Sequence, residues 1–148
     1  MPSIRITAAL AVLFAGFTVA AAQAAEPASA PIGTWLTEKG DAHIRISHCG
    51  NRLCGTIIWV KDTIDPKTGK PPVDSDNPNP RLRHRRIVGL RIFAMKPDGH
   101  DTWKGGIYNS NNGQTYGGSI RPKGHDALKV SGCFGLICGS ETWHRIGR

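Results

Sequence analysis

The stretch that decides the fold is SGCFGLICGSETWHR, residues 131–145. Two cysteines bracket the four residues Phe134, Gly135, Leu136 and Ile137. Pairing Cys133 with Cys138 in a hairpin fixes the whole antiparallel register, because each cross-strand partner is then determined. The faces then sort cleanly. Lys129, Ser131, Cys133, Cys138, Ser140, Thr142 and His144 share a polar side, while Leu128, Val130, Gly132, Gly139, Glu141, Trp143 and Arg145 share the other. A mostly apolar face carrying a carboxylate and a guanidinium on either side of an indole needs a partner for each charge, since an unpaired buried charge is very costly.

A second cysteine pair has the same spacing. Ala42, Ile44 and Ile46 alternate with His43, Arg45 and Ser47, the period-two pattern of a half-buried strand. Residues 53–60 (LCGTIIWV) follow after Gly50-Asn51-Arg52. Placing Cys49 opposite Cys54 sets Ile46 against Ile57 and Ile44 against Trp59, again with the cysteines on the more polar face. Two hairpins that agree in this way favour the disulfides Cys49–Cys54 and Cys133–Cys138. A four-cysteine zinc site is the competing reading, but its C-x4-C spacing is wider than the usual knuckle and export would favour oxidation.

Export follows from the first 24 residues. Arg5 precedes an apolar run, and Ala22-Gln23-Ala24 supplies a small-x-small cleavage pattern, so residues 1–24 read as a signal peptide rather than a membrane anchor. Residues 25–31 (AEPASAP) are a disordered leader, and 32–148 form a single domain. No later segment is apolar enough to span a bilayer as a helix. The full chain has 19 Lys+Arg against 11 Asp+Glu, a net +8; without Arg5 it is +7. In a periplasmic or secreted protein such an excess suits anionic envelope components before nucleic acid, which is not expected as a partner.

The remaining segments continue the strand series at 87–93, 102–109, 117–121, 127–132 and 137–146. Asn112-Gly113 reads as a two-residue type I′ turn, which would set Ile107 against Gly118 and Gly105 against Ile120. Between the strands, residues 61–86 are rich in Pro, Asp and Asn and then Arg, and a loop of that length in a small domain is often functional. Asn79-Pro80 predicts a short helical turn over 80–85. About eight strands joined mainly by hairpins, with glycines on the inner faces, give an all-β, up-and-down antiparallel barrel.

Gly33-Thr34-Trp35 at the start and Trp143-His144-Arg145 at the end resemble the lipocalin and calycin barrels. In those proteins an Arg from the last segment packs across the Trp of the first strand. A broader set of motifs covers nearly the whole chain after the signal. It comprises Gly33-x-Trp35, Leu53-Cys54-Gly55 with Trp59, Asp76-Asn77-Pro78 with Leu82-Arg83, Gly89-Leu90, Trp103 with Gly105-Gly106-x-Tyr108, Gly113-x-Thr115-Tyr116, and Trp143-x-Arg145. These resemble the domain-of-unknown-function 2147 family of exported bacterial proteins. The resemblance implies a lipocalin-like barrel and binding of a small apolar or amphiphilic molecule, with no cofactor and no catalytic residues to carry over.

The candidate ligand-binding residues are the inward Trp35, Ile44, Ile57, Trp59, Trp103, Ile107, Tyr116, Glu141, Trp143 and Arg145. Arg81, Arg83, Arg85 and Arg86 form a candidate anion-binding loop. Asp62, Asp65, Asp74, Asp76, Asn77 and Asn79 supply oxygens that could hold Ca²⁺, but the spacing is not that of an EF-hand and these residues also simply make turns. No metal is expected. There is no HExxH, Gly-x-Ser-x-Gly elbow or phosphate loop, so the chain reads as a binder rather than an enzyme.

Overall fold

In the computed structural model, residues 30–148 are described; the expected signal peptide and most of the leader lie outside them. The strands are β1 (Gly33–Leu36), β2 (Ala42–Cys49), β3 (Arg52–Val60), β4 (Arg91–Pro97), β5 (Trp103–Asn109), β6 (Gln114–Lys123), β7 (Ala127–Phe134) and β8 (Ile137–Gly147). Each pairs antiparallel with the next, and β1 closes on β8, giving a closed eight-stranded barrel. Closure leaves no unpaired sheet edge.

Both disulfides form as expected, Cys49–Cys54 and Cys133–Cys138. The β7–β8 register is the one read from the sequence, with Cys133 opposite Cys138, Val130 opposite Glu141 and Leu128 opposite Trp143. Phe134 and Ile137 also pair, so the turn has two residues rather than four. Two other registers differ by two residues. In β2–β3, Cys49 lies opposite Arg52 and Ile46 opposite Gly55, so the disulfide links diagonal rather than facing positions. In β5–β6, Ile107 faces Tyr116 and Gly105 faces Gly118. A slip of two preserves the faces, and Trp103, Ile107, Tyr116 and Ile120 still point the same way.

The β5–β6 turn differs for a local reason. Among the described residues none other than glycine has positive φ, so Asn112 does not adopt the type I′ geometry. Instead the Gly113 N–H donates to the Asn109 carbonyl, and Gly113 takes φ 68° while its backbone packs on the Asp76 carbonyl. The long β3–β4 connection therefore rests on this turn.

That connection is ordered by its own contacts. It carries bridges between Asp65 and Lys70 and between Val73 and Arg86, and a 3₁₀ turn over Pro80–Leu82 capped by the Asn79 side chain. The expected strand at 87–93 begins only at Arg91. Gly89 turns the chain before it, and the Gly89 N–H and Leu90 carbonyl both bond Ile57 of β3. Buried Ile87 and Leu90 thus complete the barrel wall where β4 is too short to do so.

The two ends of the barrel differ. One holds the β2–β3, β4–β5 and β6–β7 turns and both termini of the barrel; the other holds the β1–β2, β5–β6 and β7–β8 turns and the long connection. The first is filled. Trp35, Ile46, Leu53, Met95, Ile120 and Leu128 are almost wholly buried, and Phe93 crosses the interior over Gly55, where any Cβ would lie 2.3 Å from its ring.

Candidate functional site: a half-filled barrel

The closed end is built around Trp35. Its indole Nε1–H donates to the Pro31 carbonyl at 3.0 Å, and the Arg145 guanidinium carbon lies 4.2 Å from the ring centroid. Arg145 also donates to the Ile32 carbonyl at 2.6 Å and the His125 carbonyl at 2.7 Å. A cation stacked on an indole and bonded to two carbonyls ties the first strand, the last strand and the β6–β7 turn together. Gly33 allows this: its φ is 138°, and a Cβ there would lie 2.5 Å from Arg145 Nη1. Arg145 is thus a plug beneath the lumen rather than a group within it.

Above this packed half, a cavity of about 730 Å³ opens toward the other end. Ile44, Ile57, Ile107, Tyr116, Glu141 and Trp143 line it, as the sequence suggested. Trp35 and Trp103 do not; they belong to the filled half of the core. Trp59 is corrected outright. A bulge lets Ile44 face Ile57 but His43 face Trp59, so the alternation slips by one residue and the indole turns outward. There it packs on the His43 ring at 4.3 Å, 37% exposed, beside Ile58 and Val88.

Glu141 and Arg145 do not pair with each other. The Glu141 carboxylate accepts from Trp143 Nε1–H at 2.5 Å, on the cavity side. Val130, its partner across the ladder, and the bare backbone of Gly132 and Gly139 complete this part of the wall.

At the mouth lies a polar cluster that joins Asp74 and Asn77, offered by the sequence as turn formers or metal ligands, to Arg85 of the candidate anion-binding loop and Tyr108. Asp74 is completely buried and accepts from the Tyr108 hydroxyl at 2.6 Å, Asn77 Nδ2 at 2.7 Å and Arg85 at 2.8 Å. Burial alone would raise its pKa. The bonds from Tyr108, Arg85 and Asn77, with the Arg85 charge, outweigh that and hold it below the ordinary 3.8. Burial and the Asp74 carboxylate push the Tyr108 phenol above 10.0. Asp74 therefore has its oxygens committed to three donors, and it fastens the long connection to β5 beside the cavity, which Tyr108 lines.

All four arginines of this connection are exposed, and two of them also bond back to it. Arg85 is the ion-pair partner of Asp74, and Arg83 Nε donates to the Asn77 carbonyl at 2.8 Å. Arg81 and Arg86 are exposed. Two of the segments that meet here carry motifs of the family resemblance, Asp76-Asn77-Pro78 and Gly105-Gly106-x-Tyr108. Nothing in either segment alone says that they meet.

A closed eight-stranded barrel, plugged at one end by Arg over Trp and hollow at the other, has a lipocalin-like fold. A solved structure described as protein HP1028 from the human pathogen Helicobacter pylori, belonging to the lipocalin family, has the same fold. Its TM-score is 0.67 at 21% identity, covering 79% of this chain and 83% of that one. The chain belongs to the DUF2147 family, described as uncharacterized proteins conserved in bacteria, whose model matches residues 33–145. No curated protein sequence matches.

Proposed function

We propose that this protein is exported to the periplasm or beyond and binds a small hydrophobic or amphiphilic molecule in its barrel. The observation that carries this reading is the 730 Å³ cavity, walled by Ile44, Ile57, Ile107, Val130 and Trp143 and open at one end only. Its volume lies within the ordinary range for small-molecule sites, which are mostly apolar with a few placed polar groups. Two disulfides and an N-terminal signal pattern support an oxidising compartment. The reading is of a binder, because the strand-borne wall of the cavity is largely apolar.

The competing use of Arg81, Arg83, Arg85 and Arg86 as a docking loop for anionic envelope polymers draws less support, since Arg83 and Arg85 already serve Asn77 and Asp74.

Gly139 supplies the test. It lines the outer part of the cavity, and a Cβ built on it meets nothing within 4 Å, so a large side chain there enters the open end without straining the wall. Titration with the neutral fluorophore N-phenyl-1-naphthylamine should give saturable binding to the wild type and none to Gly139→Phe of equal thermal stability. Equal binding by both would place the fluorophore outside the lumen and remove the support for a carrier.

A further inference from the structure

We infer that the cavity selects amphiphiles whose polar end is an ammonium, and discriminates against carboxylate-headed ones. This rests on the lumen-binding reading and sharpens it. The chain as a whole is basic, at +8, which by itself would favour anionic ligands. No strand, however, contributes a basic side chain to the cavity lining, and Lys39, from the β1–β2 loop at the mouth, is the one basic residue there. Arg145, which the sequence placed beside Glu141 on the inner face, sits below the lumen on Trp35. Glu141 is left as the one charged side chain that any strand contributes to the cavity lining. The other charged lining groups, Lys39, Asp41 and Asp62, come from the loops at the mouth.

The carboxylate is also oriented. One oxygen accepts the Trp143 indole N–H, and no ion pair reaches Glu141 among the described residues. Its neighbours across and along the ladder, Val130 and Gly139, offer no donor side chain. A carboxylate in such a wall attracts a cation or a strong donor and repels a second carboxylate, more strongly than it would in water. An apolar tail would run among Ile44, Ile57 and Ile107.

The experiment is displacement of N-phenyl-1-naphthylamine by dodecylammonium, dodecanol and dodecanoate, each below its micellar concentration. The expected order is dodecylammonium first, then dodecanol, with dodecanoate about tenfold or more weaker than the ammonium, the scale of one charge-assisted hydrogen bond. In Glu141→Gln, which keeps an oxygen for the Trp143 N–H, ammonium and carboxylate should converge to within about threefold, while dodecanol is unchanged. Asp62→Asn at the mouth should leave the preference intact.

A wild-type protein that binds dodecanoate as tightly as dodecylammonium overturns the inference, and needs no variant to show it. A preference that survives Glu141→Gln overturns the assignment to that residue. If dodecanol binds and head-group charge makes no difference, the lumen reading stands and this one falls; if neither fluorophore nor dodecanol binds, both fall.

Discussion

Asp74 is the residue whose loss should do most damage for its size. It is wholly buried and accepts three hydrogen bonds, one from a guanidinium whose side chain is 42% exposed. Asp74→Asn keeps the shape but removes the charge and sets an NH₂ against the Tyr108 hydroxyl or against the Asn77 and Arg85 donors. Breaking a fully buried ion pair costs roughly 3–5 kcal/mol. Arg85 can turn to water here, so the expectation is discounted to about 2–3 kcal/mol. For a domain of this size that corresponds to a fall in Tm of roughly 6–12 °C. The pH dependence has a definite sign. Because the folded carboxyl titrates below 3.8, the unfolded chain binds the proton more readily. The contribution is therefore full at neutral pH and is lost as pH falls through the folded value. Thermal unfolding followed by circular dichroism should show a large gap between wild type and Asp74→Asn at pH 7 that narrows in strong acid. Asp76→Asn, two residues away and exposed, is the control. A gap below about 0.5 kcal/mol at pH 7, the usual scatter of surface substitutions, would refute the assignment of Asp74 as the fastening point.

Other expectations follow from the same geometry. Gly113→Ala should destabilise by about 2 kcal/mol or more, because the φ is positive and the new Cβ would lie 1.8 Å from the Asp76 carbonyl oxygen; chemical denaturation measures it. Arg145→Met should cost about 2 kcal/mol through lost bonds to Ile32 and His125 and the lost stack on Trp35, yet leave fluorophore affinity within about twofold. Of the four tryptophans, Trp143 lines the cavity and Trp59 faces outward, so Trp143→Phe should remove most of any ligand-induced change in intrinsic fluorescence while Trp59→Phe preserves it.

The barrel was legible because period-two alternation survives errors in register. Setting Cys49 opposite Cys54, rather than diagonal to it, moved the β2–β3 partners from Ile44 to Cys49 by two residues, and none of those side chains changed face. Trp59 was misplaced because a single-residue bulge leaves no trace in composition, yet it reverses the side chain that follows. Gly33-x-Trp35 and Trp143-x-Arg145 identified the closed end, but not that Arg145 would leave Glu141 alone in the lumen. That depends on the length of the arginine side chain and on the carbonyls of Ile32 and His125, which lie far from it in sequence. The Asp74 cluster was invisible for a similar reason. Its donors are Asn77 and Arg85 from one connection and Tyr108 from β5, brought together by a loop whose path depends on Gly113 accepting it.

The central claim is that the hollow end of the barrel holds one small molecule. Native mass spectrometry of the protein exported to a bacterial periplasm and purified without detergent tests it most directly. The account predicts a stoichiometric adduct on the wild type that is lost on denaturation and absent from Gly139→Phe. An adduct retained by Gly139→Phe at the wild-type level would contradict it.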